Sequence, residues 1–155
     1  MEEQTAFVCR ASTAVAAATA MVLSKQGVTT ILLARTKEGS DKTIKKLDRS
    51  SGQNHQSIIA DFNSPDDLEK KVNNFLKTFN KKVEILINNT GGPKPGPIVS
   101  ASSLDFITTF NQHLICNHIL VNCLVVGMKE ANYGRIINII STSVKQPIKG
   151  LGVSN

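Results

Sequence analysis

The 155-residue sequence has no tryptophan, one tyrosine and three cysteines, and these shortages exclude several classes of protein. Cys9, Cys116 and Cys123 are odd in number and form no C-x-x-C pair, which argues against a disulfide framework and a zinc site. These cysteines fit a reducing cytoplasm, which is the location we expect. No apolar run reaches the roughly 18 residues of a membrane span, so no membrane partner is predicted.

Charge gives only weak guidance about partners. Basic residues outnumber acidic ones by 18 to 12, which leaves a formal net charge of +6. The basic residues are scattered, without an aromatic-interleaved RNA motif or zinc-finger spacing, so no nucleic-acid partner is predicted. A scattered positive surface favours anionic ligands in general, but it is more typical of lysines that simply solvate helix faces.

Short β-rich apolar runs alternate with helical patterns along the chain. The predicted strands are 5–9, 29–33, 57–60, 83–87 and 135–140, and the predicted helices are 14–25, 37–50, one that begins at 65, and 102–128. Such alternation makes right-handed βαβ units and a parallel sheet. We therefore expect one α/β domain over residues 1–155, with a doubly wound sheet of about five strands between two helical layers.

Two of the predicted helices begin with a capping pattern. Ser64 precedes Pro65 at the first helical position, and Asp67 completes an S-x-x-D sequence. Ser102 and Asp105 repeat the pattern. We expect both serines to cap their helices.

The carboxyl edge of this sheet is where a ligand is expected. Ligands of open parallel sheets bind beyond the strand ends, at the point where the winding direction reverses. That edge collects residues 9–16, 88–96 and 141–150. The layout suits a dinucleotide whose phosphates rest on the N-terminus of the first helix.

Three segments at this edge resemble the short-chain dehydrogenase/reductase family. They are the first strand with its helix, the run N-N-T-G at 88–91 and the run N-I-I-S at 138–141. The loop G-G-P-K-P-G at 91–96 resembles the family's 3-oxoacyl-carrier-protein reductase-like branch. The resemblance covers essentially the whole chain. It implies a Rossmann-like, three-layer fold with strand order 3-2-1-4-5, lacking the family's C-terminal strands, and NADP-dependent reduction of a small carbonyl substrate such as a 3-oxoacyl group.

The phosphate turn implied by the resemblance is degenerate. The family pattern T-G-x-x-x-G-x-G aligns with residues 9–16, and Arg10, Ala14 and Ala16 replace its three glycines. A Cβ in a left-handed conformation costs roughly 1 to 2 kcal/mol, so two or three such penalties, if paid on binding, would lower affinity on the order of a hundredfold or more. Ser12, Thr13 and Val15 complete the implied turn, and Arg10 offers phosphate a cation. Two alternatives remain open: weak NADP binding, and a plain turn that holds no ligand.

Other implied cofactor positions keep suitable side chains. Arg35, after the second strand, suits the 2′-phosphate of NADP, although such an arginine is also typical of a solvent-facing position. By resemblance, Asp61 and Phe62 contact the adenine, or else they form a loop before Ser64. The run of Asn89, Thr90 and Gly91 lines the ribose side of the cofactor, or forms a purely structural turn.

The implied catalytic positions are mostly altered. Ser141 stands at the family's serine, Ser154 replaces its tyrosine, and the lysine position lies beyond residue 155. His113 aligns with the family's asparagine, where a histidine either shuttles protons or is simply packed. A serine hydroxyl without the lysine is a poor acid, so we expect weak or absent catalysis. The only tyrosine, Tyr133, lies in the turn before the fifth strand, and no metal site is predicted.

Association and two rival functions complete these expectations. The fifth strand forms an exposed apolar edge that invites pairing, so we expect a homo-oligomer or another covering segment. Helix residues 119–126 are apolar nearly all round, which fits burial against the sheet or the dimer interface that the resemblance implies. The rivals to an enzyme are a non-catalytic nucleotide-binding subunit and a structural or interaction remnant.

Overall fold

The structure is a computed structural model that describes residues 4–11 and 14–155. Five parallel strands form one sheet in the order β3-β2-β1-β4-β5. The strands are β1 (Thr5–Cys9), β2 (Thr29–Ala34), β3 (Gln56–Ile59), β4 (Ile85–Asn88) and β5 (Arg135–Asn138). The predicted doubly wound, Rossmann-like α/β fold and its strand order are therefore confirmed.

In the described part of the chain, five α-helices cover the two faces of the sheet. They are α1 (Ala14–Lys25), α2 (Lys37–Ile44), α3 (Pro65–Thr78), α4 (Ser103–Phe110) and α5 (Cys116–Glu130). A π-helical segment, Asn111–Ile115, joins α4 to α5. Short 3-10 turns lie at Ile98–Ser100 and Thr142–Val144.

Alternate residues of the central strands form two separate cores. Phe7 faces the core shared with Leu68 of α3 and Leu120 of α5, whereas Val8 faces the core shared with Ala20 of α1. Every residue of β1 and β2 is buried, because helices cover both faces. Apolar strands that are rigidly held in this way fix the positions of the loops at their carboxyl ends.

The strand predicted at 83–87 begins at Ile85 and ends at Asn88. Three further predicted elements have wrong boundaries for local reasons. The helix predicted at 37–50 ends at Ile44, because the chain tightens into turns in which Lys46 and Leu47 donate to the carbonyls of Thr43 and Ile44. The helix predicted to run unbroken over 102–128 is interrupted by the π-helical segment. The fifth strand ends at Asn138 rather than residue 140, since only the Ile139 amide continues the pairing, by donating to Asn88.

The two capping patterns behave differently. Ser102 forms a complete capping box, in which its hydroxyl accepts from the Asp105 amide and the Asp105 carboxylate accepts from the Ser102 amide. Ser64 precedes α3 as expected, but its side chain makes no cap hydrogen bond. Its backbone ψ is 82°, and its amide donates to the carbonyl of Asp61 instead. The side-chain cap expected at Ser64 is therefore wrong.

Strand β5 lies at one edge of the sheet, as expected. All four of its residues are exposed, and within the described residues its pairing is with β4 alone. Helix α5 buries one stripe, including Leu120 and Leu124, against the sheet, while Val126 remains exposed. In the described part of the chain, no helix combines the length and apolar character needed to cross a bilayer.

Candidate active site

Two neighbouring clefts open at the carboxyl ends of the strands, and one loop separates them. The first cleft, of about 160 Å³, lies between the ends of β1, β2, β3 and β4. The second cleft, of about 440 Å³, lies between the end of β4, the end of β5 and the π-helical segment. Asn89, Thr90 and Gly92 line both clefts. A ligand longer than either cleft would therefore contact this loop on both of its sides.

Cationic and polar side chains from four strand ends line the first cleft. Arg10 follows β1, Arg35 follows β2 and Asp61 follows β3. Parallel pairing of β1 with β2 places Cys9 opposite Leu33, so the two arginines leave adjacent strands at nearly the same level. The predicted cofactor residues that line this cleft are Arg10, Arg35, Asp61, Phe62, Asn89, Thr90 and Gly91.

Arg10, which aligns with the family's first glycine, has a backbone conformation that favours glycine. Its φ is +52°, in the left-handed region that residues with a Cβ rarely occupy. Its guanidinium lies over Gly91, in the space that a Cβ at position 91 would fill. Strain at Arg10 is therefore present in the folded chain without a ligand, and it lowers stability rather than being added on binding.

The rest of the phosphate turn contributes less to the clefts. Ser12 and Thr13 lie outside the described residues. Ala14 and Val15 are exposed at the start of α1, and Ala16 is buried against the sheet. Among the described residues of the turn, Arg10 alone lines a cleft, and that cleft is the first one.

Buried polar bonds hold the loop between the clefts in place. The Asn88 side chain donates its Nδ2 hydrogen to Oδ1 of Asn138, at 2.9 Å, across the β4–β5 pair. The Cys9 thiol lies 3.9 Å from Oδ1 of Asn88. Burial raises the pKa of Cys9 to about 12 and that of Cys116 to about 11, so neither thiol supplies a nucleophile near neutral pH.

His113 joins the π-helical segment to this loop. Its Nδ1 lies 2.7 Å from Oγ1 of Thr90, and its Nε2 lies 2.8 Å from the carbonyl oxygen of Gly91. A carbonyl only accepts, so Nε2 carries a hydrogen. Both His113 and Thr90 line the second cleft.

All three predicted catalytic residues line the second cleft. Ser141 and Ser154 join His113 there. Ser141 is exposed at the end of β5, and its hydroxyl accepts from the amide of Ser143 at 3.1 Å. The bridge between Gly96 and Leu151 brings the segment with Ser154 against the loop after β4. Tyr133 lies in the turn before β5, where the Arg135 guanidinium is 4.5 Å from its ring centroid, and so at the opposite end of that strand.

Asn117 is a cleft residue that sequence reasoning missed. It lies one helical turn after His113 and lines the second cleft, and its buried Oδ1 has no hydrogen-bond partner. A buried polar atom without a partner is costly, so this atom is ready to accept from a bound molecule. Helical spacing from His113 was the one signal that could have identified it. In the described residues, no group of three His, Cys, Asp or Glu side chains is placed to hold a metal.

Known proteins are similar to this chain in both sequence and architecture. The family profile described as short chain dehydrogenase matches residues 4–153. The NADPH-dependent reductase BacG of Bacillus subtilis is 26% identical over 149 residues, which cover 95% of this chain and 57% of that protein. The chain spans about half the length of the curated relatives it matches.

Solved structures of other proteins have a similar fold. A metagenomic short-chain oxidoreductase in complex with NADP matches with a TM-score of 0.87 at 25% identity, covering 98% of this chain and 67% of that one. A variant of actinorhodin polyketide ketoreductase with NADPH matches with a TM-score of 0.82 at 25% identity, covering 99% and 60%. With its sheet order, its strand-end clefts and a profile match over nearly its whole length, the chain belongs to the short-chain dehydrogenase family.

Proposed function

We propose that this chain is the dinucleotide-binding part of an NADP-dependent carbonyl reductase, and that its own residues catalyse the reaction weakly. The supporting observation is the pair of clefts that share one loop. One cleft carries two arginines, and the other carries Ser141, His113 and Ser154. A phosphorylated cofactor with two separate halves suits this arrangement.

The residues present fit the phosphorylated end of NADP. In the first cleft, Arg35 gives a cation that suits the 2′-phosphate, Arg10 gives a cation for a phosphate at the turn, and Asp61 supplies an acceptor for the adenine. The unpartnered Oδ1 of Asn117 offers an acceptor to a donor in the second cleft. In this proposal, Arg10, Arg35, Asp61, Phe62 and the loop 89–91 hold the cofactor, with Ser12, Thr13, Ala14, Val15 and Ala16 as the phosphate turn.

The chemistry follows from the hydroxyls of the second cleft. NADPH, when bound, supplies a hydride to a carbonyl carbon. The Ser141 hydroxyl is exposed and its oxygen already accepts one amide, so its own hydrogen is available to orient a carbonyl oxygen. Ser154 stands where a stronger acid is needed, and a serine hydroxyl is a poor acid near neutral pH. We propose a small carbonyl compound, such as a 3-oxoacyl group, as the substrate because ketoacyl reductases are among the relatives.

A second candidate function is nucleotide binding without catalysis. The observation in its favour is the position of Tyr133, the only tyrosine, which lies at the other end of β5 from the second cleft. On this alternative, the chain binds NADPH and reduces no carbonyl.

Titration with NADPH and NADH tests the binding half of the proposal. We expect Arg35→Ser to weaken NADPH binding about tenfold or more and to leave NADH binding nearly unchanged, since a charge-assisted bond contributes about 1.5 to 3 kcal/mol. Arg49→Ser makes the same exposed change away from both clefts and should alter neither affinity. Turnover of a panel of ketones and 3-oxoacyl thioesters then separates the two candidates. Absence of any NADPH response from the wild-type chain contradicts both.

The proposed setting is a reducing cytoplasm, and the proposed macromolecular partner is a second copy of the chain. All three cysteines are free thiols, which fits that compartment. The exposed isoleucines of β5, Ile136 and Ile137, support self-association through the sheet edge.

A further inference from the structure

The hydroxyl of Thr90 occupies a special position relative to the two clefts. Thr90 lines both of them, and its Oγ1 is 2.7 Å from Nδ1 of His113. The partner on the far side of the imidazole is the carbonyl of Gly91, 2.8 Å from Nε2. A hydroxyl, an imidazole and a carbonyl therefore form one continuous hydrogen-bonded chain, and Thr90 and His113, which carry the first two of these groups, both line the second cleft.

The directions of these bonds depend on whether the imidazole is neutral or charged. In the neutral ring, Nε2 donates to Gly91 and Nδ1 must accept from the Thr90 hydroxyl. In the imidazolium, both nitrogens donate, so Nδ1 donates to Oγ1 and the hydroxyl hydrogen of Thr90 becomes free to point elsewhere. Both states keep both bonds, because a hydroxyl can reverse its direction and a carbonyl need not.

We propose that Thr90 is the proton donor of carbonyl reduction in this chain and that His113 supplies its proton. This inference rests on the proposed function, which provides the hydride. As the hydride forms a C–H bond at the carbonyl carbon, the C=O π electrons move to oxygen. That oxygen takes the hydroxyl proton of Thr90, and Thr90 takes the Nδ1 proton of His113. The products are an alcohol, the oxidised cofactor and a neutral imidazole, which a solvent proton recharges.

The backbone around His113 favours this role. His113 lies in the π-helical segment between α4 and α5, and such segments are frequent at functional sites. The Asn88–Asn138 bond holds the preceding loop, so the acceptor and the hydroxyl face the same ring from fixed positions. A structural role alone, in which His113 merely ties the helix to the loop, requires the same two bonds but no transferable proton.

Four variants of the full chain separate these roles. Thr90→Val removes the hydroxyl, and Thr90→Ser retains it. His113→Gln retains an N–H that can reach the Gly91 carbonyl but has no acidic proton to give. Thr109→Val is the matched control, because Thr109 lines the same cleft while its hydroxyl bonds to the Asp105 carbonyl within α4. NADPH binding is measured for every variant by fluorescence, so that loss of cofactor is not mistaken for loss of the donor.

Turnover is the first readout. We expect Thr90→Val and His113→Gln to lower kcat on the order of a hundredfold, within the range for general acid catalysis, while Thr90→Ser and Thr109→Val stay within about threefold of the wild type. Wild-type kcat should fall as the pH rises, because the charged imidazole is the acid, whereas the residual rate of His113→Gln should not. If Thr90→Val reduces carbonyls at the wild-type rate, the proton relay is wrong and the proposed function stands. If the wild type binds NADPH but reduces nothing, the relay and the catalytic half of the proposed function both fail, and the binding half stands.

Nitrogen-15 NMR of labelled histidine provides a readout that needs no turnover. On acidification, His113 should gain an Nδ1 proton while it keeps its Nε2 proton, and the new proton should exchange with water more slowly in the wild type and Thr90→Ser than in Thr90→Val. A ring that stays singly protonated throughout acidification, while the fold is intact, overturns the relay.

Discussion

His55 and His113 lie at opposite ends of the sheet, and each forms hydrogen bonds at both ring nitrogens. They differ at Nδ1, where His55 has a backbone amide among its partners. Nδ1 of His55 lies 3.0 Å from both the backbone amide and the hydroxyl of Thr30, and its Nε2 donates to the carbonyl of Asp48 at 2.7 Å. The hydroxyl can reverse but the amide cannot become an acceptor, so a second proton on His55 breaks the amide bond. The Nδ1 partner described for His113 is the Thr90 hydroxyl, which can reverse. A second proton therefore breaks an amide bond at the amino end of the sheet and breaks neither of the two described bonds of His113 at the carboxyl end.

The surroundings of the two histidines also differ: hydrogen bonds join neighbouring segments around His55, whereas the carboxyl end of the sheet has a strained residue and an unpartnered polar atom. Near His55, the Gln53 side chain donates to the Ser24 carbonyl at 2.7 Å, and the Ser24 hydroxyl accepts from the Asp48 amide at 3.0 Å. These bonds tie the segment before β3 to α1 and β2. At the carboxyl end, Arg10 is held at positive φ and Asn117 has an unpartnered oxygen. Changes at the amino end should therefore alter stability alone, and changes at the carboxyl end should alter ligand binding.

The largest effect is expected from His55→Ala. The substitution removes the His55 partner of the Thr30 amide, the Thr30 hydroxyl and the Asp48 carbonyl, in a region where His55 is 5% exposed. We expect the free energy of unfolding to fall by about 2 to 4 kcal/mol, measured by urea denaturation. His118→Ala, at an exposed histidine of α5, is the control and should change stability by less than about 0.5 kcal/mol.

NADPH binding by His55→Ala tests whether changes at the amino end of the sheet affect stability alone. At a temperature where the variant is folded, its affinity for NADPH should equal that of the wild type. A weaker affinity would show that the amino end also shapes the clefts.

Arg10→Gly should change stability and binding in opposite directions. Glycine relieves the strain of a side chain at a φ of +52°, and part of that gain is offset by the greater freedom of glycine in the unfolded chain. We expect the variant to be more stable by about 0.5 to 1 kcal/mol. We also expect NADPH affinity to fall several-fold, because the first cleft loses one of its two cations.

The control for Arg10→Gly is Arg10→Ala, which removes the cation and keeps the strained Cβ. It should match Arg10→Gly in NADPH affinity and lack the gain in stability. Tighter NADPH binding by Arg10→Gly would mean that the guanidinium over Gly91 obstructs the cleft.

Sequence reasoning succeeded where a pattern is local and failed where it depends on geometry between distant segments. The buried strands were visible as apolar runs, and the resemblance supplied their order. The Ser64 and Ser102 patterns look alike, yet only the chain entering α4 turns so that hydroxyl and carboxylate bond reciprocally. Pairing of Thr90 with His113 depends on a π-helical segment that changes the phase of the helix, and no residue spacing announces that segment.

The smallest expected effect is a dependence of stability on pH that belongs to His55. Burial, above all, lowers the pKa of His55 from 6.5 in the folded chain, with Arg49 acting in the same direction and Asp48 opposing it. Because the unfolded chain binds the proton more readily, the stabilisation is fully present above about pH 6.5 and is lost as the pH falls through the lowered pKa. The carboxylates whose pKa is lowered, such as Glu38 from 4.5 and Asp48 from 3.8, contribute mainly below this range. Urea denaturation at pH 7.5 and about pH 5 should therefore show a larger loss of unfolding free energy for the wild type than for His55→Ala, because contributions common to both proteins cancel in this difference. Equal losses in the two proteins would mean that the amide bond from Thr30 does not favour the neutral state of His55, and the contrast with His113 would disappear.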